Sequence, residues 1–233
     1  MNTLTKKYEA LSQKIDIEFK NINLIDQAFI HRSSLNESKK SQQSNERLEF
    51  LGDSILSFLV SSYLYEKYPD LSEGELTNLR SSVVKTKTLA DLAKNLDLGT
   101  LLYLSRGEEE GGGRNNPSLL ADTFEALLGT IFLDQGISPV KKILETHLFR
   151  LLPKIIEERT YKDAKSEFQE LVQEETRVSP NYKVVKEEGP DHAKEFTVGV
   201  YVETTLWGKG KGKSKQEAEM SAAHSALEKW TKK

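Results

Sequence analysis

The sequence predicts an α+β chain of two domains: an all-helical domain over residues 1–155, a linker over 156–162 and a smaller α-β-β-β-α domain over 163–233. Apolar residues recur at helical spacing from residue 4 to about 155, without strand-like alternation. The pattern lapses before residue 163, and a period-two alternation follows. With 233 residues, the chain is long enough for two cores.

Within the first domain, the spacing predicts a helix from about residue 46 to 68, another over 76–96 and a third over 119–133. Residues 105–117 are rich in glycine and charge, which predicts a mobile loop before the third helix. Such a loop is either a lid that contacts substrate or an idle surface segment, and the pattern favours neither.

The second domain begins with a short amphipathic helix around residues 166–176. Residues 182–185 and 196–202 alternate with period two and predict strands, and Leu206 with Trp207 predicts a third short strand. A last helix begins at Ser214, where Ser214 and Glu217 have the spacing of a capping box.

Carboxylates gather on one face of the first long helix. At 3.6 residues per turn, Glu46, Glu49 and Asp53 fall on the side that also carries Phe50, opposite an apolar face. Like charges one turn apart destabilise a helix by roughly 0.2–0.5 kcal/mol per pair, so the pattern indicates a counter-ion.

A second acidic pair follows seventy residues later, where Asp122 and Glu125 lie three apart, opposite another apolar stripe. If the two helices pack together, Glu49, Asp53, Asp122 and Glu125 surround one cavity with oxygen ligands only. Such ligands favour Mg²⁺ or Mn²⁺ over zinc, and that ion suits phosphodiester hydrolysis because it lowers the pKa of water. Acids on an exposed helix face are equally typical of an ordinary surface helix, so the pattern alone leaves both interpretations open.

Composition sets wider limits. The chain has no cysteine, which excludes disulfides and thiolate metal sites. Its start lacks the apolar region of a signal peptide, and no apolar run is long enough to span a membrane. We therefore expect a soluble, cytoplasmic protein without a membrane partner. The net charge of −3 gives no global sign of nucleic-acid binding, so any affinity for RNA depends on local patches.

Four motifs resemble the ribonuclease III family. Glu46-Arg-Leu-Glu-Phe-Leu-Gly-Asp-Ser54 is similar to the family's signature, and Ala121-Asp-Thr-Phe-Glu-Ala-Leu-Leu-Gly129 resembles its second acidic motif. His31-Arg-Ser33 and Glu73-Gly-Glu-Leu76 match in the same order. The resemblance spans nearly the whole of the first 150 residues and implies the bacterial type, with one helical nuclease domain before one double-stranded RNA-binding domain.

The resemblance implies a role for each matched acid. Glu49, Asp53, Asp122 and Glu125 are the implied Mg²⁺-binding carboxylates, with Asp53 and Glu125 catalytic and indispensable. Two further acids, Glu46 and Glu73, match accessory positions. Phe50 matches an aromatic residue at the interface of a homodimer.

The run Gly208-Lys-Gly-Lys-Gly-Lys-Ser-Lys215 within the second domain resembles the double-stranded RNA-binding domain. Lysines and a helix N-terminus attract phosphates without distinguishing sequence. By the resemblance, the RNA-binding residues are those of the first helix, the following loop and the lysine run: Gln169, Glu170, Gln173, His192, Lys213, Ser214 and Lys215. Two departures weaken the match: Gln216 replaces a frequent lysine, and the thirteen acids of residues 161–233 balance the thirteen lysines and arginines.

Together, these patterns predict an endoribonuclease that cleaves double-stranded RNA with Mg²⁺, for which Mn²⁺ is a substitute. The resemblance implies 5′-phosphate and 3′-hydroxyl ends, short 3′ overhangs, and substrates such as ribosomal RNA precursors. One alternative is a catalytically silent RNA-binding scaffold on the same fold, against which the presence of all four carboxylates argues. Another is a metal-dependent phosphatase or nucleotide hydrolase, for which a separate RNA module is unnecessary.

Overall fold

The computed structural model describes residues 3–37, 43–157, 164–190 and 194–230. Two compact units divide the chain, Met1–Arg159 and Thr160–Lys233. The first is helical, and the second combines two helices with a three-stranded sheet in its described residues, so the predicted α+β class is confirmed.

The first unit is built from α-helices around one central helix. Their bounds are α1 (Thr3–Ile15), α2 (Ile22–Ala28), α3 (Glu46–Lys67), α4 (Glu73–Val84), α5 (Thr86–Asn95), α6 (Leu98–Leu101), α7 (Arg106–Glu110), α8 (Pro117–Gln135), α9 (Ile137–His147) and α10 (Leu152–Glu157). Short 3₁₀ helices occupy Arg32–Asn36, Gly113–Asn115 and Phe149–Leu151. Helix α8 is buried on nearly every side, and it packs most extensively against α3 and also against α5, α2 and α9.

Both helices that carry the acidic motifs begin at a fixed point. Asn45 precedes α3, and its buried amide group donates to the carbonyl of Ala28 at 3.3 Å while its backbone N–H donates to Ile30 at 2.9 Å. Asn116 caps α8 by accepting from the N–H of Ser118 at 2.9 Å, and Pro117 occupies the first turn, where no N–H is needed.

The long helix predicted over residues 76–96 is two helices, α4 and α5, separated by Lys85 in an extended conformation. This break turns α5 so that its apolar stripe, which includes Leu89 and Ala93, packs against α8. Periodicity continues across the break because each helix has its own buried face, and the prediction of one helix was therefore wrong.

The glycine-rich segment predicted as a loop contains α7 and a 3₁₀ turn. Ser105 caps α7 by accepting from the N–H of Glu108 at 3.3 Å. Arg114 donates to the carbonyls of Gly99 and Leu102 at 3.0 and 2.9 Å, and pairs with Glu109 at 2.7 Å. These contacts join residues three to fifteen positions apart, and each depends on specific side chains rather than on overall composition, so the glycine and charge content gave no sign of them.

The second unit has the order α11 (Ala164–Thr176), β1 (Asn181–Glu188), β2 (Glu195–Val202), β3 (Thr205–Gly212) and α12 (Lys215–Trp230). The strands are antiparallel in the order β1-β2-β3. The core between sheet and helices includes Phe168, Val200 and Trp230, with the Phe168 and Trp230 rings edge to face at 5.6 Å. Trp230 Nε1 donates to Glu175 at 3.0 Å.

Strand β3 is longer than the two residues predicted, because it includes most of the glycine-lysine run. A Cβ atom on Gly210 would lie 2.1 Å from the backbone nitrogen of Ala222, so the glycines allow α12 to lie against the strand. Lys209 and Lys211 point to solvent in alternation with them. The glycines and lysines of β3 thus point to opposite faces of the strand, with the glycines facing α12.

The predicted domain boundaries stay a prediction. Helix α10 extends to Glu157, and residues 158–163, which hold most of the predicted linker, lie outside the described residues. Across the described ranges, none of the helices combines the length and the hydropathy that a membrane crossing requires.

Candidate active site

Helices α3 and α8 touch almost backbone to backbone at two glycines. A Cβ atom on Gly52 would lie 1.8 Å from the carbonyl oxygen of Glu125, and one on Gly129 would lie 2.2 Å from the carbonyl oxygen of Leu48. No larger residue fits either position without moving a helix. The close crossing brings the acidic residues of the two helices side by side.

Three of the predicted carboxylates form a compact group. One oxygen from each of Glu49, Asp122 and Glu125 lies within 4.8 Å of the others, and all three side chains are half-buried. None of them has an ion-pair partner among the described residues. Three hard oxygen donors without an ion-pair partner fit a divalent cation of the Mg²⁺ or Mn²⁺ type.

Electrostatics at this group favours protonation when no cation is bound. Burial raises the pKa of Glu125 to about 8, and the charges of Asp53, Asp122 and Glu49 add to the effect. Burial also raises the pKa of Glu49, with Asp122 the next contributor. The pKa of Asp122 is raised by burial as well, and the charge of His31 opposes that rise.

The fourth predicted carboxylate, Asp53, lies beside the compact group rather than within it. Its side chain is exposed on α3, one turn after Glu49. Its charge nevertheless raises the pKa of both Glu125 and Glu49, which puts it within electrostatic reach of them. The structure thus brings three of the four carboxylates together and leaves Asp53 at their rim.

The two accessory acids lie in different places. Glu46 is at the start of α3, where it pairs with Arg32 at 3.6 Å and accepts from the Ser44 hydroxyl at 2.7 Å. Its charge raises the pKa of Glu49, so it adjoins the compact group. Glu73 is the exposed first residue of α4 and does not belong to the group.

A pocket of about 220 Å³ opens beside the compact group. Its walls come from the segment before α3, from α3 itself, from the end of α6 and from α8. The lining residues are His31, Arg32, Asn45, Glu46, Glu49, Leu102, Leu119, Asp122 and Thr123. Acidic groups therefore share one cavity with His31, a member of a motif that carries no assigned role.

Phe50 belongs to an exposed apolar face of α3. Its side chain is 76% exposed, and Phe58 and Tyr65 on the same side of the helix are 64% and 76% exposed. Phe58 and Tyr65 also line an open groove with Glu73 and Leu76 of α4. Large aromatic side chains exposed together are typical of a surface that another protein covers.

The described RNA-binding candidates of the second unit lie on α11 and around the start of α12. Gln169, Glu170 and Gln173 are exposed on α11, where Gln173 donates to the Ser179 hydroxyl at 2.8 Å. His192 lies outside the described residues.

The other three RNA-binding candidates surround the start of α12. Ser214 caps the helix by accepting from the N–H of Glu217 at 3.2 Å, and Lys213 N–H donates to the Glu217 carboxylate at 2.7 Å. The predicted capping box is thus only half formed. Lys215 is exposed, and its Nζ lies 3.7 Å from a carboxylate oxygen of Glu187.

Comparisons with protein families match both units. Residues 21–152 match the model described as Ribonuclease-III-like, and residues 164–230 match the double-stranded RNA binding motif. The first match alone covers more than half of the 233 residues. The chain belongs to the ribonuclease III family. It is therefore an endoribonuclease, and the predicted resemblance is confirmed.

Similarity to curated members of the ribonuclease III family extends over nearly the whole chain. The chain is 45% identical to Ribonuclease 3 of Pelotomaculum thermopropionicum over 95% of its own length and 92% of that protein. It is also 45% identical to Ribonuclease 3 of Bacillus cytotoxicus, covering 96% of this chain and 95% of that one. Among solved structures, the ribonuclease III nuclease domain of Campylobacter jejuni is 41% identical over 63% of this chain and 96% of that chain, with a TM-score of 0.56.

The sequence analysis missed two residues of this ribonuclease III-type site. Asn45 holds the start of α3 from a buried position through its bonds to Ala28 and Ile30, while its side chain makes no capping hydrogen bond to the helix, so the usual pattern of a helix start gave no signal for this role. His31 was quoted within a matching motif without a role, although its ring lines the acidic pocket.

Proposed function

We propose that this chain hydrolyses phosphodiester bonds in double-stranded RNA by a Mg²⁺-dependent mechanism, with Mn²⁺ as a substitute ion. The observation that carries the proposal is the approach of the Glu49, Asp122 and Glu125 carboxylates to within 4.8 Å of one another. The match of residues 164–230 to a double-stranded RNA binding motif supports duplex RNA as the substrate.

Glu49, Asp122 and Glu125 hold the ion in this proposal, and Asp53 completes the set from the rim. When bound, a divalent ion supplies positive charge that offsets the charge of the phosphate oxygens and favours ionisation of an attacking water. Glu125 must lose its proton first, because its pKa of about 8 keeps it largely protonated near neutral pH. Asp53 and Glu125 are the proposed indispensable acids, with Glu46 and Glu73 as accessory positions.

The second unit holds the duplex. Gln169, Glu170 and Gln173 present polar groups from one exposed helix face, which suits the wide minor groove of A-form RNA and its 2′-hydroxyls. His192 is assigned to the next minor groove on the resemblance alone.

Three residues at the start of α12 supply the proposed phosphate contacts. Lys213, Ser214 and Lys215 meet the phosphates there, where the helix dipole adds to the lysine charge. These contacts fix position without distinguishing sequence.

The proposal extends to assembly and products. The exposed face of Phe50, Phe58 and Tyr65 supports a homodimer, in which each subunit cuts one strand. The products are short duplexes with 5′-phosphate and 3′-hydroxyl ends and 3′ overhangs. Ribosomal RNA precursors and other structured transcripts of the cytoplasm are the proposed substrates.

A catalytically silent scaffold is the principal alternative. The close group of Glu49, Asp122 and Glu125 counts against it, because a silent RNA-binding fold needs no cluster of carboxylates without an ion-pair partner. A phosphatase or nucleotide hydrolase is disfavoured by the presence of a separate RNA-binding unit.

One comparison of substrates tests the proposal. The full chain is incubated with a long RNA duplex, a DNA duplex of the same sequence and free nucleotides, each with Mg²⁺ and with a chelator. We expect Mg²⁺-dependent cleavage of the RNA duplex alone, with phosphate at the 5′ ends of the products. Turnover of nucleotides or of the DNA duplex at a similar rate would favour the hydrolase alternative, and no turnover at all would favour the scaffold.

A further inference from the structure

The ring of His31 is held in one orientation by its neighbours. The backbone N–H of His31 donates to the carbonyl of Tyr103 at 3.1 Å, and its carbonyl accepts from the Ser34 hydroxyl at 2.8 Å. Nδ1 of the ring accepts from the N–H of Ser33 at 3.3 Å and lies 2.8 Å from the Ser33 hydroxyl. Both backbone and ring are therefore fixed.

These contacts select one tautomer of the imidazole. Because the Ser33 N–H can only donate, Nδ1 of His31 is the acceptor, and in the neutral ring the hydrogen is on Nε2. The Ser33 hydroxyl oxygen accepts from the N–H of Ser105 at 3.0 Å, which leaves the hydroxyl hydrogen for Nδ1. The assignment follows from the direction of these hydrogen bonds.

His31 is also part of the acidic pocket. It lines that pocket with Glu49 and Asp122, and it lies close enough to Asp122 to oppose the rise in the pKa of that carboxyl. Nε2 forms no hydrogen bond with any residue in the described part of the chain. A residue of the pocket lining thus has an N–H group without a described partner, in a cavity that carboxylates share.

Other donors of the pocket are engaged elsewhere. Arg32 pairs with Glu46 at the exposed rim at 3.6 Å. The amide of Asn45 donates to Ala28 at 3.3 Å, and the Thr123 hydroxyl donates to Leu119 at 2.6 Å. These interactions engage one donor group on each of those residues, and the Nε2–H of His31 is a donor that the described contacts leave available to the carboxylates.

We propose that His31 is a positioning residue of the metal site, whose Nε2–H orients the oxygen atoms beside Asp122, and that Ser33 and Ser105 hold the ring in the required tautomer. The inference rests on the proposed role of Asp122 as a metal ligand. Ligating carboxylates are generally oriented by hydrogen bonds from outside the ligand set, and loss of such a partner typically costs about 10–100-fold in metal affinity.

Direct measurement of Mn²⁺ binding tests the inference without relying on activity. The full chain is titrated with Mn²⁺ and free ion is followed by electron paramagnetic resonance, for the unchanged protein and for His31→Ala, Ser33→Ala and Ser33→Thr. We expect His31→Ala to weaken Mn²⁺ binding by about 10–100-fold. Ser33→Ala should also weaken Mn²⁺ binding, by a smaller factor. Ser33→Thr should bind Mn²⁺ as tightly as the unchanged protein, because the hydroxyl is retained. His224→Ala, on the exposed side of α12, is the matched control.

Two outcomes overturn the inference. If His31→Ala lowers the unfolding temperature but binds Mn²⁺ as tightly as the unchanged protein, His31 only caps the 3₁₀ helix Arg32–Asn36. If His31→Ala fails to fold, equal affinities for Ser33→Ala and Ser33→Thr overturn it instead. Glu125→Gln separates this from the proposed function: normal Mn²⁺ binding by that variant rejects the metal site itself and the inference with it.

Discussion

Glu125 has the largest influence on the protonation state of the acidic site. Its carboxyl is the most strongly perturbed of the group, with a pKa raised to about 8 by burial and by Asp53, Asp122 and Glu49. Without a cation, the group is therefore partly neutralised by protons. A divalent ion replaces those protons, so metal affinity should rise with pH through this range.

The raised pKa makes the stability of the metal-free chain depend on pH. Since the folded state binds the Glu125 proton more tightly than the unfolded state, the stabilisation is complete below about 4.5 and is lost as pH rises through about 8. We expect the unfolding temperature, measured in a chelator, to fall across this window. Added Mg²⁺ should raise it more at pH 8 than at pH 5.5, since ion and proton compete.

Glu125→Gln is the control for this pH dependence. The amide cannot titrate, so the decline in unfolding temperature should be shallower in the variant. If both proteins show the same slope, Glu125 does not carry the raised pKa. Burial lowers the pKa of Lys7 to about 8, which reduces stability by a constant amount below that pH and relieves the reduction only between about 8 and 10.5, so Lys7 does not contribute to the expected decline.

For single residues, the sequence predicted three side chains that approach one another, Glu49, Asp122 and Glu125, together with Asp53, which lies at their rim, but it did not predict the other residues around them. The spacing of Asp122 and Glu125 fixes a shared helix face, and the resemblance supplied the partner helix. The contacts of His31 depend on a backbone pairing between Ile30 and Tyr103, residues more than seventy positions apart. Local pattern contains no information about such a pairing.

Among elements, the crossing of α3 and α8 depends on the absence of side chains at Gly52 and Gly129. The same contact sets the separation of Glu49 from Glu125. A change at this crossing should therefore alter both the stability of the first unit and the positions of the carboxylates.

Gly52→Ala tests that dependence. The added methyl would meet the Glu125 carbonyl at 1.8 Å, so α8 must shift. We expect a loss of roughly 1–3 kcal/mol or more in the free energy of unfolding. A shift of the Glu125 backbone should also slow duplex cleavage by about 100-fold. Gly107→Ala, whose methyl meets nothing within 4 Å, should change neither denaturant unfolding nor rate; a tolerant Gly52→Ala would contradict the close crossing.

The start of α12 offers a second test at the scale of elements. Lys215 is within 3.7 Å of Glu187 on β1, which competes with phosphate for its charge. We expect Glu187→Gln to strengthen duplex binding by about two- to fivefold, since exposed ion pairs contribute up to about 1 kcal/mol. Lys215→Ala should weaken binding and reduce the slope of log affinity against log salt by about 1.

Gel-shift titrations at several salt concentrations measure both effects. Glu228→Gln makes the same change of charge on α12, away from the Lys215 pair, and is the matched control. Equal gains for Glu187→Gln and Glu228→Gln would show a general charge effect rather than release of Lys215. An unchanged salt slope for Lys215→Ala would reject its phosphate contact.

The elements themselves were largely predictable, and the exceptions have physical causes. Helices α3, α8 and α11 follow the predicted periodicity closely. The predicted length of strand β3 was too short. Its buried positions are glycines, which do not register as apolar residues in a period-two pattern. The ion pair of Lys215 with Glu187 depends on how the sheet and α12 pack, which the sequence does not specify locally.

The whole molecule has two matched units and one exposed aromatic face on the first. The side chains of Phe50, Phe58 and Tyr65 are largely exposed, and exposed aromatic side chains that lie together are typical of a surface that another protein covers. A homodimer of this chain through the α3 face is our proposal.

Substitution on the aromatic face should change the mass in solution. We expect Phe58→Ser with Tyr65→Ser to convert a dimer, of roughly twice the 26.4 kDa chain mass, into a monomer in sedimentation velocity. Leu133→Ser, at an apolar side chain of α8 that is 54% exposed, is the control and should leave the mass unchanged. A dimer that survives the double change would place the interface elsewhere.

Two-domain organisation was predicted from the change of period along the chain, because a switch from helical to alternating spacing marks a new type of core. Assembly was predicted only through the resemblance. An exposed aromatic side chain on a helix, such as Phe50, has no spacing that distinguishes a partner surface from chance exposure.

The most direct test of the central claim is the rate of cleavage of a long RNA duplex in Mg²⁺ by Glu125→Gln, with Glu145→Gln on the exposed side of α9 as the matched control. Duplex binding in Ca²⁺ is measured on the same samples. We predict that Glu125→Gln binds the duplex normally and does not cleave it, while Glu145→Gln does both. Cleavage by Glu125→Gln at the rate of the unchanged protein would contradict the assignment of the carboxylate group as the catalytic metal site.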